Sequence, residues 1–140
     1  MACIYRDVTV EIDPMRAWAT LRRVHAAAEL FAPVLRESSV EADIRTVTFA
    51  NGMVVRERIV DVDDERRRVV YSAIDAAGLS YHHASMQIVE AGKGKTRFIW
   101  WTDVLPASAV AAVEPLVEQG TQALKTNLER TVAPARRGAP

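Results

Sequence analysis

Ile44-Arg45-Thr46-Val47-Thr48-Phe49-Ala50-Asn51-Gly52-Met53-Val54-Val55-Arg56-Glu57-Arg58-Ile59 is the stretch on which the architecture turns. Apolar and polar residues alternate on both sides of Asn51-Gly52, the pattern of two half-buried strands joined by a tight turn. Two loop lengths fit. A two-residue loop opposes Thr48 with Val55 and Thr46 with Glu57. A three-residue loop, Ala50-Asn51-Gly52 with Gly52 in the left-handed region, opposes Phe49 with Met53, Val47 with Val55 and Arg45 with Glu57. Only the second gathers Val47, Phe49, Met53, Val55 and Ile59 on one face and leaves Thr46, Thr48, Arg56 and Arg58 on the other. A slip of one residue would destroy that separation, so the longer loop is expected. Arg45 and Glu57 then fall opposite each other on the apolar face, where two charges must pair or reach water. They form either a structural ion pair near the sheet rim or a polar anchor at one end of a ligand cavity.

The same period of two extends outward from this hairpin. Strands are expected near 34–41, 44–50, 53–62, 67–75, 80–90 and 95–104. They are separated by Ala50-Asn51-Gly52, Asp63-Asp64-Glu65, Ala76-Ala77-Gly78 and Gly92-Lys93-Gly94, all of them turn chemistry. Connections so short require antiparallel neighbours. By parity Val69, Tyr71, Ala73, His82, Ala84, Met86, Ile88, Phe98 and Trp100 face inward. Tyr81, His83, Ser85, Gln87, Arg97, Trp101 and Asp103 face outward, with Trp101 either exposed or packed on the N-terminal helices.

Upstream, residues 4–12 alternate as a further strand. Asp13-Pro14 then reads as a helix N-cap followed by proline at the first helical position. The helix Met15–Val24 is expected to bury Met15, Trp18, Leu21 and Val24, and a second helical piece, Ala26–Leu30, ends before Pro33. Downstream of Pro106, residues 107–131 carry Val110, Val113, Leu116, Val117, Gly120, Leu124 and Leu128 at helical spacing. Pro115 should kink or restart that helix. The order is strand, two short helices, six strands and one long helix. This defines an α+β domain over residues 1–132 in which a curved antiparallel sheet of about seven strands wraps a long C-terminal helix. Residues 133–140, small and basic, are expected to form a disordered tail.

Composition narrows the function classes. The chain has 140 residues, 49 % hydrophobic and 26 % charged, with zero formal net charge. One domain with a real core follows. No basic excess points to nucleic acid, and no stretch approaches the roughly 18 apolar residues of a membrane span. The single cysteine, Cys3, cannot form an internal disulfide, and a cytoplasmic setting is expected. No phosphate loop, dinucleotide fingerprint, nucleophile elbow or metal-ligand spacing occurs. The basic run Glu65-Arg66-Arg67-Arg68 follows an acidic turn and reads as a solvated hairpin end.

Taken in order, Pro14-Met15-Arg16-Ala17-Trp18, Ile44-Arg45-Thr46-Val47-Thr48, Asn51-Gly52 and Val55-Arg56-Glu57-Arg58-Ile59 resemble the START-like (SRPBCC) superfamily. Val70-Tyr71-Ser72, Leu79-Ser80-Tyr81-His82, Thr96-Arg97-Phe98-Ile99-Trp100 and Leu124-Lys125 complete the likeness, to its bacterial polyketide cyclase/dehydrase-like branch. The resemblance covers about residues 4–130 and implies a helix-grip fold. It also implies a cavity between sheet and last helix, with no cofactor. The pattern is similar to plant abscisic-acid receptors too, and by that likeness Glu57, Tyr71 and His82 lie where ligand or ordered water is contacted. Asn51-Gly52 stands where those receptors carry a gating loop, but the Leu-Pro that follows there is missing. The hormone-anchoring lysine has no counterpart in Val34–Val40.

The expected ligand-binding residues are therefore Arg45, Val47, Phe49, Met53, Val55 and Glu57 from the hairpin, and Tyr71, His82, Ala84, Phe98 and Trp100 from later strands. The last helix adds Val113, Leu116, Val117 and Gly120. His82 and Glu57 are the catalytic candidates, since burial moves both groups toward neutrality, as acid–base work on a carbonyl compound requires. Alternatively His82 hydrogen-bonds Tyr71 or water in a binding cavity. The functional reading is a binding or carrier protein for a small hydrophobic molecule such as a lipid or polyketide, without metal or cofactor. The alternatives are a polyketide cyclase or dehydratase using the same cavity, and a homodimer through Trp101 and Tyr81.

Overall fold

The computed structural model describes residues 2–137, with side chains as far as Val132. Seven strands follow the expected punctuation: β1 (Cys3–Val10), β2 (Leu35–Glu41), β3 (Ile44–Phe49), β4 (Val54–Asp63), β5 (Arg68–Ile74), β6 (Tyr81–Glu90) and β7 (Thr96–Leu105). They form one antiparallel sheet in the order β1-β7-β6-β5-β4-β3-β2. The β3–β4 hairpin takes the longer loop. Phe49 N–H donates to the Met53 carbonyl at 2.8 Å, Gly52 has φ +91°, and Arg45 pairs with Glu57 and Val47 with Val55.

The first helix, α1 (Pro14–Leu21), begins where the local signals place it. Asp13 caps it by accepting from Met15 N–H at 3.0 Å and Arg16 N–H at 3.4 Å, with Pro14 at the first helical position. Its buried face differs from the expected one: Pro14, Ala17, Trp18 and Leu21 are covered, whereas Met15 is exposed. The Trp18 indole fixes this rotation by donating to Asp64 at 2.9 Å. A short 3₁₀ turn (Val24–Ala26) and α2 (Ala27–Leu30) complete the N-terminal cover.

After a 3₁₀ turn at Ala107–Ala109, α3 runs from Val110 to Arg137 as one element, so Pro115 does not restart the helix. Proline removes only the bond to the Ala111 carbonyl, and that residue is exposed to water. The helix also outlasts the expected end at Thr131. Of the tail expected to be disordered, Gly138–Pro140 lie outside the described residues, and for 133–137 only the backbone is described.

Polar ties hold α3 along β1 at the edge of the sheet. Arg6 pairs with Glu114 and Glu118, the Lys125 ammonium donates to the Thr9 carbonyl at 2.9 Å, and Glu129 accepts from Glu11 N–H at 2.9 Å. Asn127 donates to the carbonyls of Leu30 and Ala32, fastening α2 to the same helix.

The apolar core is lopsided, and this asymmetry makes the site. Ile4, Val10, Trp18, Ile88, Phe98, Leu124 and Leu128 fill the space between β1, β6, β7 and the helices. The β2–β4 side contributes only the partly buried Leu35, Ile59 and Val62 to that cluster. Opposite α3, the β3–β4 hairpin is therefore left unfilled. On the outer face Trp101 is exposed and lies against Tyr5, ring centroids 4.4 Å apart, away from the N-terminal helices. Ser85, expected in solvent on this face, is buried between its cross-strand neighbours Val70 and Trp101.

Candidate functional site

The unfilled side is a cavity of about 650 Å³ between the β3–β4 hairpin and α3. Well-packed interiors rarely leave voids larger than a water molecule, and this volume is in the range of small-molecule sites. Thirteen of the fifteen expected residues line it: Arg45, Val47, Phe49, Met53, Val55, Glu57, Tyr71, His82, Trp100, Val113, Leu116, Val117 and Gly120.

Ala84 and Phe98 do not. Both point inward yet have no accessible surface. Ala84 lies between Tyr71 and Thr102 in cross-strand register, and these larger side chains cover its methyl. Phe98 sits one inward position further along β7, in the solid core, edge-on to Trp100 at 6.0 Å. Parity shows which face a residue takes but not how deep the filler above it lies.

The lining also includes residues that sequence reasoning passed over. Ala27 and Phe31 come from the α2 segment, Val34 and Leu35 from the start of β2, and Asp75–Leu79 from the β5–β6 loop. Tertiary packing places these, and no period marks them. Thr102 was legible, being the next inward position after Trp100.

Inside this wall the charges are few. Arg45 Nε donates to Glu57 Oε1 at 2.8 Å, and Arg45 NH1 donates to the Val24 carbonyl at 3.2 Å. The guanidinium carbon lies 5.0 Å from the centre of the Tyr71 ring. Burial raises the Glu57 carboxyl above its usual range, with Arg45 opposing. Burial, reinforced by the Glu57 charge, also raises the Tyr71 phenol, which stays protonated. The other charged lining residues, Arg56 and Asp75, are exposed.

His82 has a definite protonation pattern. The β5–β6 ladder ends at Tyr71–Ala84. Beyond it, Ala73 N–H donates to His82 Nδ1 at 2.9 Å, and the Ser72 hydroxyl donates to the His82 carbonyl. The imidazole thus stands in for a ladder acceptor where the sheet opens. With Nδ1 accepting, the neutral ring carries its proton on Nε2. Burial, reinforced by neighbouring His83 and opposed by Asp103, lowers its pKa from 6.5 to about 4.

A lowered value favours the neutral ring in the folded state, so this stability is present above pH 6.5 and is lost as pH falls toward 4. Between pH 7.5 and 5, His82 is expected to account for a loss of about 2 kcal/mol. Denaturant unfolding of the wild type and His82→Asn at both pH values measures this. An equal fall in both proteins would show that His82 is not the group responsible.

Gly120 sets the approach of α3 to the wall. A methyl group there would stand 2.9 Å from Cζ3 and 3.0 Å from Cη2 of Trp100. The indole is also held by Phe31, ring centroids 5.8 Å apart. Trp100 is thus wedged in one orientation at the end of the cavity nearest the core.

A curved antiparallel sheet closed on a terminal helix around an apolar hollow defines the helix-grip class of cavity proteins. More particularly, the chain belongs to the family described as polyketide cyclase / dehydrase and lipid transport, whose model matches residues 1–129. An uncharacterized protein from Bacillus thuringiensis is similar at a TM-score of 0.82 and 15 % identity, over 91 % of this chain and 98 % of that one. A START superfamily protein from Mycobacterium smegmatis is similar at 0.74 and 14 %, over 96 % and 99 %. Norcoclaurine synthase from Thalictrum flavum, solved with dopamine and hydroxybenzaldehyde, is similar at 0.72 and 21 %, over 94 % and 86 %. At such identities the likeness shows the fold. Among curated protein sequences there is no match. No helix among the described residues is long and apolar enough to cross a membrane.

Proposed function

We propose that the protein binds one small, mainly apolar molecule in the hollow between the β3–β4 hairpin and α3. The observation that carries this reading is the cavity of about 650 Å³ with aliphatic and aromatic walls and one compact polar corner. Family membership and the cavities of helix-grip proteins support it. A carrier role suits the side chains better than catalysis, because His82 Nδ1 is already engaged and cannot accept a proton without losing the Ala73 bond.

Titration with the uncharged fluorescent probe N-phenyl-1-naphthylamine, with native mass spectrometry for stoichiometry, tests the reading. One-to-one binding is expected. Gly120→Ala should weaken it about ten-fold, because the added methyl drives the Trp100 ring into the hollow. The fold should survive, since overpacking of about 1–3 kcal/mol is partly offset by about 1 kcal/mol of helix propensity. An unaltered affinity in Gly120→Ala, or no binding to the wild type, would remove the cavity as the site.

A second reading is acid–base catalysis on a carbonyl compound. One observation favours it: Glu57 is a largely buried carboxyl in the cavity wall with a raised pKa, and its charge acts on the Tyr71 phenol. It requires turnover that disappears in Glu57→Gln.

A further inference from the structure

The outer face of the sheet, on the side away from the cavity, carries an apolar patch. Tyr5 on β1, Trp101 and Leu105 on β7 and Tyr81 on β6 are each 40–50 % exposed. Cross-strand register brings them together: Tyr5 opposes Trp101, and Tyr81 opposes Leu105. None of the four lines the cavity. The strands beneath are regular, since β1–β7 and β6–β7 pair without a bulge, whereas the irregularities of the sheet lie in β2 and β4. At about 200 Å² for each large side chain, half-exposure leaves roughly 400 Å² of apolar surface in one patch, the size that marks interaction sites on globular proteins.

The polar residues of this face are ordered too. Asp103 stands in register with His83, whose Nδ1 is 3.9 Å from the carboxylate. Across the sheet, neighbouring outward rows read Tyr5–Trp101–Ser85–Val70, Cys3–Asp103–His83 and Asp7–Ile99–Gln87–Arg68. Both charged rows carry their acid on the β1–β7 side and their base on the β6–β5 side.

That asymmetry makes the face complementary to itself. A two-fold axis along the β6–β7 seam lays each row on its own reverse. Asp103 then faces His83 of the partner subunit, and Asp7 faces Arg68 of the partner subunit. Leu105 meets the partner's Tyr81, and Tyr5 meets the partner's Val70. The Trp101 indole falls over the partner's Ser85, a small and buried position between Val70 and Trp101. Acid meets base, apolar meets apolar, and the largest side chain meets a small one. An axis along the Asp103–His83 row would instead set Asp103 against Asp103, which like charges oppose.

We propose that the protein forms a homodimer through this outer face, two sheets stacked about the β6–β7 seam with both cavities turned away from the contact. This stands whether or not the cavity holds a ligand. Stacked sheets cross at about −30°, so the pairs nearest the axis matter most. The sheet curves away from the contact, which confines it to the strands beside the seam. The interface therefore falls at the small end of the stable range, with a Kd of about 10–100 µM.

Sedimentation velocity on the full chain from about 5 to about 500 µM tests this, and the sedimentation coefficient should rise from the monomer to the dimer value across that range. Trp101→Lys and Tyr81→Lys should each weaken association at least about ten-fold. Both side chains are half in solvent, so far-UV circular dichroism and cooperative unfolding should persist in both variants. His83→Asp sets an acid against the partner's Asp103 and should weaken association about five-fold, and adding Asp103→Lys restores opposite charges across the axis and should recover it. Met15→Lys on α1 and Met53→Lys at the cavity mouth are exposed elsewhere and should change association less than about two-fold. A wild type that stays monomeric at the highest concentration overturns the proposal. So does a dimer that Met53→Lys dissociates and Trp101→Lys does not, which would put the contact at the cavity mouth. Failure of the charge swap to recover association would reject the seam axis and the proposal with it.

Discussion

Replacing Arg45 by methionine is expected to destabilise the fold by about 3–5 kcal/mol at neutral pH, the largest effect of any single polar substitution in this protein. The change leaves the Glu57 carboxylate buried opposite an apolar side chain, with its 2.8 Å partner gone. Burial already raises the Glu57 pKa, and Arg45 is what restrains the rise. In Arg45→Met the folded value must climb further. The sign follows: a raised folded pKa gives stability that is present below the unfolded value of 4.5 and lost as pH rises through the folded value. Arg45→Met should therefore recover, relative to wild type, as the solution is acidified toward pH 4.5. The double variant Arg45→Met/Glu57→Gln removes the uncompensated charge and should regain most of the loss at neutral pH. Urea unfolding of the four proteins of this cycle at pH 8 and pH 5 measures it. A pH-independent deficit in Arg45→Met, or no recovery in the double variant, would mean that Arg45 acts by packing alone.

The second large effect separates wall from core. Phe98→Ala should cost about 3–5 kcal/mol, because the ring is fully buried between strand and helix and its loss opens a void in solid packing. Phe49→Ala should cost far less, since the ring is only partly buried and already faces the hollow. Binding should show the reverse order. Phe49→Ala should weaken the uncharged probe several-fold, while Phe98→Ala, where it folds, should leave affinity near wild type. Unfolding midpoints and probe titrations on the same two variants decide the matter. Equal stability losses would place Phe49 in the core and shrink the site.

The contrast between these residues shows how far the chain alone could be read. The hairpin was legible to the residue, because a period of two and the Asn51-Gly52 turn leave one register that separates apolar from polar. The Arg45–Glu57 pair followed from that register. His82 was legible as an inward residue, but its role was not. Its Nδ1 is engaged because the β5–β6 ladder stops one residue short of Ser72, a fact about how two strands diverge in space. Phe31 and the β5–β6 loop reach the cavity through the docking of α2 and the opening of the sheet, which no local pattern encodes.

What the sequence by itself determined is therefore the class of fold and, outside the irregularities at Leu35/Glu37 and Ile59/Asp61, the face that strand residues take, since alternation and turn chemistry are local and act wherever the chain lies. What only the tertiary structure decided is depth: which inward side chains meet solid packing, as Ala84 and Phe98 do, and which meet a hollow, as Tyr71 and Trp100 do. Depth depends on where α3 crosses the sheet. That crossing is set by contacts between residues more than a hundred positions apart, Arg6 with Glu114 and Glu118 and Lys125 with the Thr9 carbonyl, together with the absence of a side chain at Gly120.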